Sequence, residues 1–315
     1  MKKLLITRVL PDANLAAARA RYDVTVRETA DGLTMAEAAE ALQTYDAILP
    51  TLGDQFTQEA FVGELRCKVL ANFGVGYNHI DVEAAGRAGV LVSNTPDVVT
   101  DATADIGMTL ILSTCRRAGE GERLVRADKW IGWGPTQMLG THVTGKTVGI
   151  VGMGRIGQAV ARRCHYGFEM PVLYYNRSEK STEVPALQVP TLHELMAASD
   201  IVVVTVPGGG DNTHLIDGAA LAAMKPSGIF VNIARGDVVD EPALIKALQD
   251  GIIAGAGLDV FAHEPHVPDE FRALENVVLL PHLGTAALEV REAMGQMALD
   301  NIIAWEDGRP LPQAV

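Results

Sequence analysis

The stretch "GKTVGIVGMGRIGQAVARR", residues 145–163, constrains the fold more than any other part of this chain. An apolar strand pattern from Thr147 to Val151 runs into Gly152, Gly154 and Gly157, and good helix formers follow. The spacing G-x-G-x-x-G is weak evidence alone, but between a strand and a helix it has a mechanical reading. Gly152 would permit a tight turn, Gly154 would let a pyrophosphate approach the backbone, and Gly157 would let the helix pack closely on the strand. The amides near Arg155 and Ile156 would then face the phosphates at the positive end of the helix. A glycine-rich turn that binds nothing is the plainer alternative.

The surrounding pattern fits such a loop. "KLLITR", "YDVTVRE", "YDAILP", "KVLANF" and "GVLVSN" read as strands over the first third of the chain, and "DANLAAARARY", "TMAEAAEALQ", "TQEAFVGEL" and "DVEAAGRAG" read as helices between them. A second series begins at the glycine loop and continues through "PVLYY", "DIVVVTVP", "GIFVNIA", "GAGLDV" and "VVLLPH". Strands alternating with helices make parallel sheets, and near-continuous apolar runs mark strands buried on both faces. Between the two series, a long apolar helix pattern starts at Thr100. It ends in an irregular arm with Trp130, Trp133, Gly134 and Pro135. The expected fold is α/β, with two doubly wound, parallel-sheet, Rossmann-like domains.

Composition narrows the partners. The net charge is −13, which argues against a nucleic-acid surface, and no apolar run is long enough to cross a membrane. "MKKLLITRVL" reads as a first strand interrupted by Arg8, not a secretory signal. Cys67, Cys115 and Cys164 lack metal-ligand spacing and read as buried free thiols of a reducing compartment. A cytoplasmic protein is expected.

The strand "VLYY" should end on an acid if the loop served NAD, because a carboxylate grips the adenosine ribose hydroxyls about twenty residues beyond the last glycine. The chain places Asn176, Arg177 and Ser178 there instead. A guanidinium and nearby hydrogen-bond donors suit a 2′-phosphate. NADP(H) is therefore favoured, with NAD(H) still admissible. Arg177 as a plain surface residue is the alternative.

Three polar residues follow three of the expected strands: Arg235 after "GIFVNIA", Glu264 after "GAGLDVFAH" and His282 after "VVLLP". Ligands of open α/β sheets bind beyond the carboxyl ends of strands. Arg235 would fork a substrate carboxylate, His282 would move a proton near neutral pH, and Glu264 would orient the imidazole. Each has a bland reading, Arg235 as a turn residue in "ARGD" and His282 as a structural histidine. "HEPH", with His263, Glu264 and His266, lacks a further ligand pair, so no metal is expected.

The segments "ANFGVGYNHIDVEAAGRAGVLVSNTP", "ATADIG", "FVNIARGDVVDEPALIKAL", "AGLDVFAHEP" and "VVLLPHLGTAA", with the glycine loop, resemble the D-isomer-specific 2-hydroxyacid dehydrogenases over essentially the whole length. Within that family, "WIGWGPTQMLG" and the Asn-Arg-Ser strand end look most like NADPH-dependent glyoxylate/hydroxypyruvate reductases. The resemblance implies that Arg235 binds the substrate carboxylate and keto oxygen, that Glu264 supports the imidazole, and that His282 is the general acid or base. It implies that the Val75 and Gly76 backbone also meets the carboxylate, with Leu52 on the substrate side. Thr103, Ile233, Asp259, His282 and Gly284 would border the nicotinamide. Pro207 and Thr213 would lie in "VPGGGDNTHLI", which replaces a commoner "PLTPET" pattern beside the adenosine. Those glycines either leave room for a larger phosphate-bearing group or only reshape a turn. Thr136-Gln137 stands where some relatives carry a bulky aromatic.

The family plan is discontinuous. It implies a substrate-binding domain of residues 1–99 and 288–315, and a dinucleotide-binding domain of 100–287. Crossovers near Pro96–Thr100 and Thr285–Leu288 would form the hinge. A homodimer through the Trp130–Trp133 arm is expected, with packing inside one chain as the alternative. Rival readings are a relative acting on phosphoglycerate or on branched or aromatic 2-keto acids, and a cofactor-sensing protein similar to corepressors of this superfamily.

Overall fold

The apolar runs become twelve strands in two wholly parallel sheets. Five lie near the N-terminus: β1 (Lys3–Ile6), β2 (Asp23–Val26), β3 (Ala47–Leu49), β4 (Val69–Ala71) and β5 (Leu91–Ser93). They pair in the order β2-β1-β3-β4-β5. Seven follow: β6 (Val148–Val151), β7 (Val172–Tyr175), β8 (Ala186–Gln188), β9 (Ile201–Val204), β10 (Ile229–Asn232), β11 (Gly255–Leu258) and β12 (Val277–Leu279). Their order is β12-β11-β10-β9-β6-β7-β8. The computed structural model describes residues 1–315 and divides into two units, 1–99 with 285–315 and 100–284, one around each sheet. Residues 285–287 thus go with the first unit.

Burial explains why these segments are strands of a parallel sheet. Every residue of β6, β9, β10 and β11 is buried, so their side chains need not alternate in polarity. The register sets Ile150 beside Val203 and Val203 beside Val231. Phe230 and Ile150 are fully buried, and burying such a side chain contributes about 1.5–3 kcal/mol. Some helices begin at a side-chain cap. The helix Met35–Thr44 has a full capping box between Thr34 and Glu37, and the helix Glu241–Gln249 is capped by Asp240.

Two local expectations differ from the fold. "TQEAFVGEL" forms only one 3-10 turn, Gln58–Ala60. Gly63, two residues beyond Phe61, has φ 77°, outside helical geometry, and Ala60 is the one residue of that turn the core buries. "ALQ" forms β8, an edge strand too short to signal itself.

The strand order reverses on either side of β6, which lies between β9 and β7. A reversal of this kind opens a crevice at the carboxyl ends of the strands. The three cysteines are free and buried; burial pushes the Cys67, Cys115 and Cys164 thiols up to about 12, 11 and 12. No helix is long and apolar enough to cross a membrane.

Candidate active site

The glycine loop joins β6 to the helix Arg155–Phe168. Gly152 has φ 97°, and a Cβ there would lie 2.7 Å from the Val206 side chain. At Gly157 a Cβ would lie 2.2 Å from the Gly152 carbonyl, so the helix packs too closely for any side chain. Gly154 is different: a Cβ would meet nothing within 4 Å. The protein therefore accounts for two of the glycines and leaves open space over the third, where a pyrophosphate would need to approach. Gly154 caps the helix without a side chain and the first turn carries no acid, so Arg155 and Ile156 stand at a positive helix end. Thr205, at the end of β9, donates its hydroxyl to the Gly152 carbonyl at 2.5 Å and fixes the loop from behind. These residues fit a dinucleotide.

Beside this loop, the Gly152 amide donates to the Tyr175 carbonyl at 2.9 Å, which brings the end of β7 alongside. Asn176 shapes the following turn: its Nδ2 donates to the Ser178 carbonyl at 2.8 Å, and Gln188 Nε2 donates to the Asn176 carbonyl at 2.9 Å. Arg177 and Ser178 are exposed. Arg177 has no ion-pair partner in the protein.

The glycines of "VPGGGDNTHLI" answer to a turn and to Arg235. Gly209 and Gly210 have φ 76° and 54° and lead into the 3-10 turn Gly210–Asn212. A Cβ on Gly208 would lie 2.6 Å from Asp237 Oδ1 and 2.8 Å from Arg235 Cγ. Asp237 holds this turn by accepting the Gly209 amide at 2.6 Å. Pro207 accepts from Asn212 Nδ2 at 2.9 Å, and the Thr213 amide donates to the Gly210 carbonyl at 3.2 Å, so both belong to the same loop.

Arg235 lies just past β10. Asn232, almost fully buried, accepts the Ala234 amide and donates to the Arg235 carbonyl, each at 2.9 Å, which fixes the turn that carries the guanidinium. Burial pulls the Arg235 guanidinium below its ordinary range, opposed by the charges of Glu264 and Asp237. Beyond β11, Glu264 bridges two donors: Oε1 accepts the Phe261 amide at 3.0 Å, and Oε2 lies 2.7 Å from His282 Nδ1. Burial pushes the Glu264 carboxyl up, but the bond and charge of His282, the Phe261 amide and Arg235 outweigh it and hold the group below the usual range. His263 and His266 pair with each other through their backbones and do not share in this contact. No group of three or more His, Cys, Asp or Glu residues is placed to hold a metal.

His282 has φ 55°, an uncommon conformation for a non-glycine residue. Asp259 holds it there. The Asp259 carbonyl accepts the His282 amide at 2.9 Å, Oδ1 accepts the Leu283 amide at 2.6 Å, and Oδ2 accepts the Gly284 amide at 2.9 Å. Burial pushes the Asp259 carboxyl up despite these bonds. Gly284, Asp259 and Thr103 meet here, since a Cβ on Gly284 would lie 3.4 Å from Asp259 Oδ2 and 3.5 Å from Thr103. Ile233 packs against the same helix, Thr100–Cys115, its Cδ1 3.1 Å from where a Cβ on Gly107 would stand.

In the first unit, Leu52 follows β3 and Val75 and Gly76 follow β4. A bridge between Thr51 and Phe73 puts both loops at the same end of the sheet. Asp54, fully buried, accepts the Leu33 and Thr51 amides at 2.8 Å and pairs with Arg8, which leaves Leu52 exposed on the turn. Sequence reading missed Thr205, Asn232, Asp237 and Asp54. Thr205 and Asn232 share one signal, a polar residue at or just past the end of an apolar strand, while Asp237 and Asp54 lie deeper in the loops after β10 and β3.

The family profile of the D-isomer specific 2-hydroxyacid dehydrogenase NAD binding domain matches residues 108–284. A glyoxylate reductase of Pyrococcus furiosus is 44% identical, covering 99% of this chain and 95% of its own. The chain belongs to the D-isomer specific 2-hydroxyacid dehydrogenases. It is an enzyme of that kind, and it uses a nicotinamide cofactor. A glycerate dehydrogenase of Hyphomicrobium methylovorum is 37% identical over 100% of this chain and 99% of its own. A crystal structure of an NADPH-dependent glyoxylate/hydroxypyruvate reductase from Sinorhizobium meliloti, in complex with NADP and malonate, superimposes with a TM-score of 0.88. It is 33% identical and covers 100% of this chain and 96% of its own.

Proposed function

We propose that this chain reduces small 2-keto acids, glyoxylate and hydroxypyruvate, to D-2-hydroxy acids with NADPH. The observation that carries the reading is the 2.7 Å contact of His282 Nδ1 with Glu264 Oε2, in the unit that also holds Arg235 and the open glycine loop. The names of the relatives, glyoxylate reductase and glycerate dehydrogenase, point the same way.

When bound, the nicotinamide supplies the hydride. Arg235 forks the substrate carboxylate and touches the keto oxygen; the bound carboxylate also offsets the partly buried charge of the guanidinium. With Nδ1 held by Glu264, His282 presents Nε2 to the carbonyl and donates the proton that the new alkoxide takes. In oxidation it takes that proton back. Thr103, Ile233, Asp259 and Gly284 border the nicotinamide. The first unit, with Leu52 and the amides of Val75 and Gly76, is the substrate-binding domain.

The preference for NADPH rests on Arg177 and Ser178, an exposed cation and hydroxyl with no acid at the strand end. The test is kcat/KM for NADPH and NADH at fixed glyoxylate. Charge-assisted hydrogen bonds contribute about 1.5–3 kcal/mol each, so a preference of roughly tenfold or more is expected, and Arg177→Ala should erode it chiefly through KM. Equal use of both cofactors, or a preference for NADH, would refute it.

A homodimer through the arm is part of the same proposal. Ile131 is 100% exposed and Trp133 82% exposed. They stand beside a cavity of about 340 Å³ lined by Gly121, Leu124, Val125, Trp130, Gln137 and Met138. A partner that covered these rings would bury apolar area now facing water.

A further inference from the structure

The loop after β4 is anchored by the Phe73 and Gly74 amides at its start, and from Gly74 to Gly76 by its carbonyls. The Gly74 carbonyl accepts the Thr95 amide at 3.1 Å and Asn72 Nδ2 at 3.0 Å. The Val75 carbonyl accepts Asn94 Nδ2 at 2.9 Å, and the Gly76 carbonyl accepts Asn72 Nδ2 at 3.0 Å. In a trans peptide the carbonyl and the following amide point in opposite directions. Fixing three successive carbonyls on one side therefore turns the amides of Val75, Gly76 and Tyr77 to the other. None of these three amides has an acceptor in the protein. Successive outward amides form a concavity that takes an anion.

Asn72 is 1% exposed, and its Oδ1 has no partner. Two carbonyl acceptors leave no doubt which end of the amide faces the loop. A buried acceptor left unsatisfied is costly, so a residue kept only for packing is a poor fit here; what the position requires is two donors without a charge. Asn94 is placed by the chain's last residues. Its amide donates to the Gln313 carbonyl at 3.2 Å, and the Gln313 amide and side chain both bond Asn301.

We propose that Asn72 and Asn94 are positioning residues that aim the amides of Val75, Gly76 and Tyr77 as one nest for the substrate carboxylate. This rests on the 2-keto acid reading above, and it adds the Tyr77 amide to the donors and gives the cause of their direction.

The test uses the full-length enzyme with glyoxylate as substrate and oxamate as a carboxylate competitor. Asn72→Ala should raise both KM for glyoxylate and Ki for oxamate by roughly ten- to a hundredfold, because the freed loop no longer presents its amides to a charged acceptor. Asn94→Ala, which releases one carbonyl only, should raise both by about three- to tenfold. NADPH affinity, read by fluorescence titration, should stay within about twofold in both variants. A merely structural role would lower melting temperature and active fraction without moving KM and Ki together. If both variants fold and keep KM and Ki within about twofold of wild type, the proposal is wrong. Should Asn72→Ala fail to fold, Asn94→Ala decides alone. A wild type that neither reduces glyoxylate nor is inhibited by oxamate overturns the substrate reading itself, and that is read before any variant is made.

Discussion

Glu264 accepts from two donors at once, the Phe261 amide and His282 Nδ1. Glu264→Gln keeps the shape but leaves one acceptor oxygen where two are needed, and it sets an amide NH2 against one of the donors. The side chains of His282 and Glu264 are 29% and 27% exposed, so water replaces the lost partner only in part. A hydrogen bond to a charged group contributes about 1.5–3 kcal/mol. If this bond holds the imidazole in the transition state, kcat should fall roughly 10- to 150-fold, at 1.36 kcal/mol per factor of ten. NADPH affinity should hardly change. The assay is steady-state loss of reduced nicotinamide with saturating glyoxylate, beside cofactor titration. A second readout comes from acid. Glu264 is held below its ordinary value, so its stabilising contacts are complete above the unfolded glutamate value of about 4.3 and are lost as pH falls through the lower folded value. The melting-temperature gap between wild type and Glu264→Gln should therefore narrow as pH falls below the unfolded glutamate value. A variant with kcat within threefold of wild type, or a gap that does not narrow in acid, would sink this account of the pair.

Gly208→Ala places a methyl 2.8 Å from Arg235 Cγ and 2.6 Å from Asp237 Oδ1. Overpacking of this kind costs about 1–3 kcal/mol, so KM for 2-keto acids should rise about tenfold while NADPH affinity holds; unchanged kinetics would mean that the turn relaxes without moving the guanidinium. Replacing Trp130 and Trp133 with Ser should shift light-scattering mass toward the monomer at micromolar concentration. A wild type already monomeric there ends the dimer proposal without any variant.

The parallel sheets were legible in the sequence because fully buried strands announce themselves as unbroken apolar runs, as "IVVV" and "IFVN" do. The edge strand Ala186–Gln188 was not, since only its pairing with β7 makes it a strand. "TQEAFVGEL" carried helical spacing, yet Gly63 turned the chain after one turn. Within the site, the glycine loop was readable because sterics at Gly152 and Gly157 admit no other residue. The run Gly208-Gly209-Gly210 left two readings open: the positive φ of Gly209 and Gly210 serves a turn, while the demand at Gly208 comes from Arg235 and Asp237, distant in sequence, and no local pattern records it. Asn72, Asn94, Asn232 and Asp237 were invisible as well. Each acts through one or two hydrogen bonds to a neighbouring backbone, and a polar residue after a strand reads equally well as an ordinary turn.

These bracing residues also explain how a chain of net charge −13 can serve anionic ligands. A cluster of surface lysines would work against that field and be screened by salt. In the proposed function the anions would instead be met by backbone amides aimed by neutral side chains, by the helix end at Gly154 and by Arg235, whose turn is fixed by the neutral amide of Asn232. Neutral clamps add no charge of their own, so nothing competes with the carboxylate for the amides they aim. Asp259 and Glu264 are charged groups used the same way, each with its oxygens committed to donors, the turn amides at Leu283 and Gly284 for one and the Phe261 amide and His282 for the other. Their charge is spent locally on the His282 turn rather than facing an incoming carboxylate. Arg177 is left as an exposed cation with no ion pair at the end of β7, so in the proposed function the choice between cofactors, more than the grip on the 2-keto acid, is the step that ionic strength should reach.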